Sequence, residues 1–199
     1  MFQGDTKMKR LSLILALLMF AMLTFTACGV TAPITNDAPY EAGTIDENGY
    51  SSKWLGLSFT PSDNIVIATE EEMRELGMYA EEETGASGVY EMMATDAVTF
   101  GSVVVLVEAA VAELTAEKYV DALKAQLDSQ LDGVTYSDVV KEKILGAEYT
   151  CFEYGVDAYG VSLNQTMLVR KLADRIVSIC FTYSSDAEFE ALFDCFKAY

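Results

Sequence analysis

Hydrophobic positions along this chain fall into three regimes. From Leu11 to Ala27 they are nearly continuous. From Gly29 to Gly49 they are sparse and follow no period. From Tyr50 onward they recur either at every second position or with a helical period, the two signatures of strands and amphipathic helices.

The alternating segments predict strands. Leu55, Leu57 and Phe59 share one face of Trp54–Phe59. Val89–Thr95 and Phe100–Ala109 form a predicted hairpin, and the unbroken apolar run Val103–Val107 predicts a strand covered on both faces. Val134–Leu145 and Glu148–Val156 follow as strands around Gly146, and Val161–Lys171 with Arg175–Tyr183 as a second hairpin. Thr69 with Glu72 makes a capping box and predicts a helix to about Glu83, with Met73, Leu76 and Ala80 inward. Thr115 opens a second helix whose stripe is Tyr119, Val120, Leu123, Leu127 and Leu131. Ser185 with Glu188 predicts a third, which would present Phe189, Leu192, Phe193 and Phe196 to the core. Hairpins dominate this order. The expected fold is therefore α+β, an antiparallel sheet with helices packed on it. The stretch from Tyr50 to Tyr199 suits one domain of about 150 residues.

The first regime has a different meaning. Lys7, Lys9 and Arg10 precede the apolar run, and Thr24-Phe25-Thr26-Ala27-Cys28 closes it. A basic start, an apolar stretch and small residues make an export signal, and Met8 opens a more usual leader than Met1. The ending resembles the lipobox of bacterial lipoproteins, with Phe25 where leucine is usual. In that family the Cys28 position is alkylated by diacylglyceryl and becomes the first mature residue. The resemblance implies that residues 1–27 are a signal peptide and that Cys28 is the lipidation site. The protein would sit on the extracytoplasmic face of the cell membrane. Residues 28–49, with two of the chain's three prolines, are then a flexible tether and residues 50–199 the globular domain. Two rival readings are an uncleaved spanning helix, at the short limit for a layer of about 30 Å, and an ordinary signal cut elsewhere.

Composition narrows the function. The net charge is −18, and residues 29–199 keep ten basic and 30 acidic residues. Such a surface repels nucleic acid phosphates and anionic lipid headgroups. Histidine is absent, which removes the commonest general base and metal ligand. No cofactor is expected. Cys151, Cys180 and Cys195 form no Cys-x-x-Cys pair and sit among apolar residues, which points to buried free thiols, although export also permits one disulfide with one thiol left over.

Several constellations invite chemistry and fit a plain structural role better. Glu70–Glu72, Glu75 and Glu81–Glu83 could collect calcium, but carboxylates also suit a helix start. Asp128–Gly133 imitates an EF-hand loop and fails at position twelve, where Val139 stands. Ser87 lies in a glycine-rich turn without the nucleophile-elbow pattern. Trp54, Tyr90, Phe152, Tyr154 and Tyr159 could line an aromatic binding surface, with Tyr154 and Tyr159 the stronger candidates near a turn. Such residues on sheets are more often core.

The order of elements, with Leu55-Gly-Leu-Ser-Phe-Thr-Pro61, Leu114-Thr-Ala-Glu-Lys-Tyr-Val-Asp-Ala-Leu-Lys124 and Leu145-Gly-Ala-Glu-Tyr149, resembles the PsbP-like fold. That fold is shared by the P subunit of the photosystem oxygen-evolving complex and DcrB-type lipoproteins. The resemblance implies an α/β/α sandwich over most of residues 50–199 and a binding or assembly role rather than catalysis. The metal sites proposed for some members use histidine, which this chain lacks, and no functional residue is carried over. The expectation is a membrane-anchored, non-catalytic lipoprotein with an unknown protein or small-molecule ligand. The alternatives are a carboxylate-dependent hydrolase of surface polymers and a calcium-binding surface module.

Overall fold

A computed structural model describes residues 39–75, 88–158 and 161–199. Cys28, the leader and the second half of the first predicted helix, with Glu81–Glu83 and Ser87, lie outside the described residues.

The described chain forms two antiparallel sheets and three helices. The large sheet runs β4 (Ile65–Ile67), β5 (Gly88–Asp96), β6 (Ser102–Ala109), β11 (Arg175–Tyr183), β10 (Val161–Leu172), β9 (Ala147–Ala158), β7 (Thr135–Tyr136), with β8 (Val140–Ile144) also on β9. The small sheet runs β1 (Thr44–Asp46), β2 (Gly49–Ser52), β3 (Leu57–Phe59), β12 (Phe196–Ala198). The helices are α1 (Glu70–Glu75), α2 (Ala116–Gln130) and α3 (Asp186–Phe193). The fold class is mixed α+β.

The large sheet is the middle layer because its central strands are apolar on both faces. Val104, Leu106, Met167, Val169 and Cys180 pack against the Tyr119, Val120, Leu123 and Leu127 stripe of α2. Val103, Val105, Val107, Ile179 and Phe181 pack on the opposite side against Tyr50, Leu57, Phe59 and Phe196 of the small sheet, with Leu192 of α3. Thr115 caps α2, accepting from the Lys118 N–H at 3.3 Å. Glu72 closes the Thr69 box, accepting the Thr69 N–H at 2.8 Å.

Four expectations change. Val134–Leu145 is two strands, β7 and β8, because Ser137–Val139 leave the ladder between them. The third helix starts as foreseen, but it is the Ser184 N–H and hydroxyl that bond Glu188, both at 2.8 Å. Phe196 belongs to β12 and reaches the core from a strand paired with β3. Finally, the fold begins before Tyr50. The hairpin β1–β2 and the contacts of Tyr40 and Gly43 lie in the segment expected to be tether. They are fixed by one buried carboxylate that supplies the acceptors this polar stretch needs.

Candidate functional site

Two glutamates are buried, and each interrupts an apolar strand. In β5 the register with β6 slips between Tyr90 and Met92. This bulge sends Tyr90 to the helix side and Met92 to the small-sheet side, with Glu91 as the extra residue. Glu91 is 6% exposed. Its carboxylate accepts from the Tyr40 hydroxyl at 2.9 Å, the Gly43 N–H at 3.0 Å and the Tyr50 hydroxyl. Glycine is needed at position 43, since a Cβ there would stand 2.8 Å from Glu91 Oε2. Burial, then the adjacent Glu91 charge, raises both phenols above their usual range.

Glu108 lies in β6 on the helix side and accepts from the Tyr119 hydroxyl of α2. Burial raises the Glu108 carboxyl above the ordinary carboxylate range, while the Tyr119 hydrogen bond pulls it back. Tyr119 is pushed up by its own burial and by the Glu108 charge. The two carboxylates thus project to opposite faces of the sheet. They cannot attack one bond from two sides, the arrangement a glycosidase requires. Each acts instead as a cross-link between layers, worth about 1.5–3 kcal/mol for a hydrogen bond to a charged group.

The third polar feature is a corner at the end of the large sheet, on its small-sheet face. Arg170 and Arg175 flank the turn between β10 and β11 and are near neighbours across the strands. Arg170 donates from Nη2 to the Leu55 carbonyl at 2.5 Å and lies over the Tyr149 ring, 5.0 Å from its centroid. Arg175 lies over Tyr40 at 4.8 Å, with Asp174 at 3.8 Å. Tyr40 in turn meets Trp54 edge-on at 5.1 Å. Arg170 Nε, Arg175 Nε and the Tyr149 hydroxyl are buried without a hydrogen-bond partner.

The aromatic candidates do not assemble. Tyr90, Phe152 and Tyr154 are buried on the helix side, with Phe152 and Tyr154 stacked at 5.9 Å. Trp54 is on the other side, and Tyr159 is outside the described residues. Tyr154 is core, its hydroxyl bonded to Gln165. Among the described residues no three acids or cysteines converge to hold a metal, and no helix is long and apolar enough to cross a membrane. Cys151, Cys180 and Cys195 are buried and unpaired. Cys180 lies on the helix side and the other two on the small-sheet side.

Sequence reasoning missed Glu91, Glu108 and the arginine corner. The signal for the acids was there, since each carboxylate sits inside a run of strand apolar residues. The arginine signal was the pair bracketing Lys171–Asp174.

A comparison of the sequence with protein-family models finds no match, and neither does one with curated proteins. Among solved structures, the chain is similar to the cyanobacterial PsbP (CyanoP) of Synechocystis sp. PCC 6803. Identity is 13%, 81% of this chain and 99% of that chain are covered, and the TM-score is 0.49. It is also similar to LpqN, involved in cell envelope biogenesis of Mycobacterium tuberculosis. There identity is 11%, coverage 70% and 76%, and the TM-score 0.43.

Proposed function

We propose that this chain is a lipoprotein anchored through Cys28 to the extracytoplasmic face of the cell membrane, carrying one PsbP-like domain that works by binding or assembly without catalysis. The observation that carries the anchoring is the position of Cys28 at the point where the basic-headed apolar run stops. Two or three acyl chains on one residue hold stably where a single chain is marginal, since each buried methylene contributes about 0.8 kcal/mol. What supports a non-catalytic domain is the use made of its buried acids. Glu91 and Glu108 each spend their acceptors on tyrosine hydroxyls that join layers.

Globomycin, which blocks the lipoprotein signal peptidase, should make the unprocessed form accumulate in cells. Cys28→Ser should abolish incorporation of labelled palmitate. Continued labelling of that variant contradicts the anchoring.

A further inference from the structure

Glu91 takes its donors from two kinds of chain. Tyr50 belongs to β2 and is paired into the small sheet. Tyr40 and Gly43 belong to the entry segment, whose ladder pairing starts only at Thr44. Among the described residues, the backbone of positions 40–43 makes one hydrogen bond, from the Gly43 N–H to Glu91 at 3.0 Å. Glu41 and Ala42 between them are exposed. The segment is therefore held at Tyr40 and Gly43, and a stretch with so few backbone bonds belongs to the part of a fold that opens most readily.

The recess that Tyr40 fills is built by the rest of the domain. Arg175 of β11 lies over the Tyr40 ring at 4.8 Å. Trp54, in the turn between β2 and β3, meets that ring edge-on at 5.1 Å. Glu91, in the β5 bulge, accepts the hydroxyl at 2.9 Å. Each contact selects a different property of the occupant. The guanidinium favours a π face, the indole an edge-to-face aromatic partner, and the buried carboxylate an O–H donor. A hydroxylated aromatic ring meets all three. The Gly43 N–H, on the second oxygen of the same carboxylate, adds a peptide donor three residues further on. The recess outlasts its occupant, since Tyr50 still donates to Glu91 and Asp174 still stands 3.8 Å from Arg175 when Tyr40 leaves.

We propose that Glu91, Arg175 and Trp54 form a binding recess for the tyrosine side chain of a partner polypeptide, with Tyr40–Gly43 as its resident, displaceable occupant. The inference rests on the binding reading of the domain and names its ligand class. It is independent of lipid on Cys28, because none of these contacts involves the leader. Covalent linkage gives Tyr40 an effective concentration on the order of millimolar. A partner segment therefore displaces it by contacts beyond the recess, and a short free peptide binds well only where the resident has been removed.

Trp54 is the chain's single tryptophan and touches the bound ring, so its fluorescence reads occupancy. The probes are the acetylated, amidated peptide Pro-Tyr-Glu-Ala-Gly, which is the sequence of residues 39–43, its analogue Pro-Phe-Glu-Ala-Gly, and p-cresol. Two variants of the full chain empty the recess and keep its lining. Tyr40→Ala removes the ring. Gly43→Ala sets a Cβ 2.8 Å from Glu91 Oε2 and against the Tyr50 ring, so the segment must lift. Both variants should show a saturable Trp54 response to the tyrosine peptide. The phenylalanine peptide should bind about tenfold more weakly, for want of the hydroxyl. Wild type should also need about tenfold more of the tyrosine peptide, because its own Tyr40 competes. p-Cresol should bind more weakly than the tyrosine peptide, lacking the glycine donor, and equal binding overturns a polypeptide as the occupant. No saturable response in either variant, or no preference for the hydroxyl, overturns the recess. In wild type, hydrogen exchange at the Gly43 amide reads the opening itself. It should run roughly 100-fold faster than at the β6 amides, and exchange at the β6 pace overturns displacement. Palmitate labelling of Cys28 is measured separately, so the recess and the anchor fail independently.

Discussion

The Tyr50 hydroxyl donates to the Glu91 carboxylate across the interface between the two sheets. Tyr50 comes from the small sheet and Glu91 from a bulge in the large one. With Tyr40 and Gly43 on the same carboxylate, the bond ties the chain's entry segment to the middle layer. Tyr50→Phe removes one donor from a buried charge and should cost about 1–3 kcal/mol. Chemical denaturation of the variant measures it. A loss below a few tenths would mean that Glu91 is satisfied without Tyr50.

Glu108 gives a pH signature. Its carboxyl is raised above the ordinary range by burial, so the folded state holds the proton more tightly than the unfolded chain. That contribution is fully present below the unfolded value of about 4.3 and is lost as pH rises through the folded value. The stability difference between wild type and Glu108→Gln should therefore shrink with rising pH across this window and then level off. A second loss should follow above about pH 10, as the raised phenols of Tyr50 and Tyr119 are forced to ionise. Denaturation midpoints across pH test both, and a flat difference profile for Glu108→Gln contradicts the first.

The three domain cysteines should be slow to alkylate. Burial pushes Cys180 up to about 12 and Cys151 up to about 11, and only the thiolate attacks. In the folded protein, maleimide labelling should lag far behind that in denaturant. Denatured mature protein should show three free thiols, because Cys28 would be a thioether. A fourth would mean an unmodified Cys28. Disulfides from Cys180 to Cys151 or Cys195 are not expected, since the sheet separates them.

The β10–β11 turn holds Ala173 at φ 54°, a left-handed conformation that costs an L-residue about 1–2 kcal/mol. Ala173→Gly relieves it at an entropic cost of about 0.5–1 kcal/mol. A net gain of roughly 0.5 kcal/mol is expected in a thermal or denaturant midpoint. A clear loss would place the turn in another conformation.

The long elements were legible because their patterns are local. The covered strand at Val103–Val107, the capped helix from Thr115 and the hairpin around Leu172–Arg175 all follow from period and turn chemistry. What escaped depends on partners distant in sequence. Thr44–Asp46 has no periodicity of its own and becomes a strand by pairing with Thr44↔Ser51 register and by the Glu91 acceptors nearby. Phe196 looked helical because it continues the spacing of Phe189, Leu192 and Phe193. It forms a strand because β3 offers it an open edge. The buried carboxylates and arginines leave only a local trace, a charge inside or beside an apolar run, because each is compensated by a tyrosine ring or hydroxyl from another element. Tyr90, Phe152 and Tyr154 belong to the core under α2, the commoner role for aromatics on a sheet face.

Anchoring stands or falls with lipid on the sulfur of Cys28. Intact-mass and N-terminal peptide analysis of the native protein, extracted from the membrane fraction, answers this most directly. The expected result is a chain that begins at Cys28 and carries a diacylglyceryl adduct. A chain that retains Met1 or Met8, with an unmodified Cys28 thiol, would contradict it.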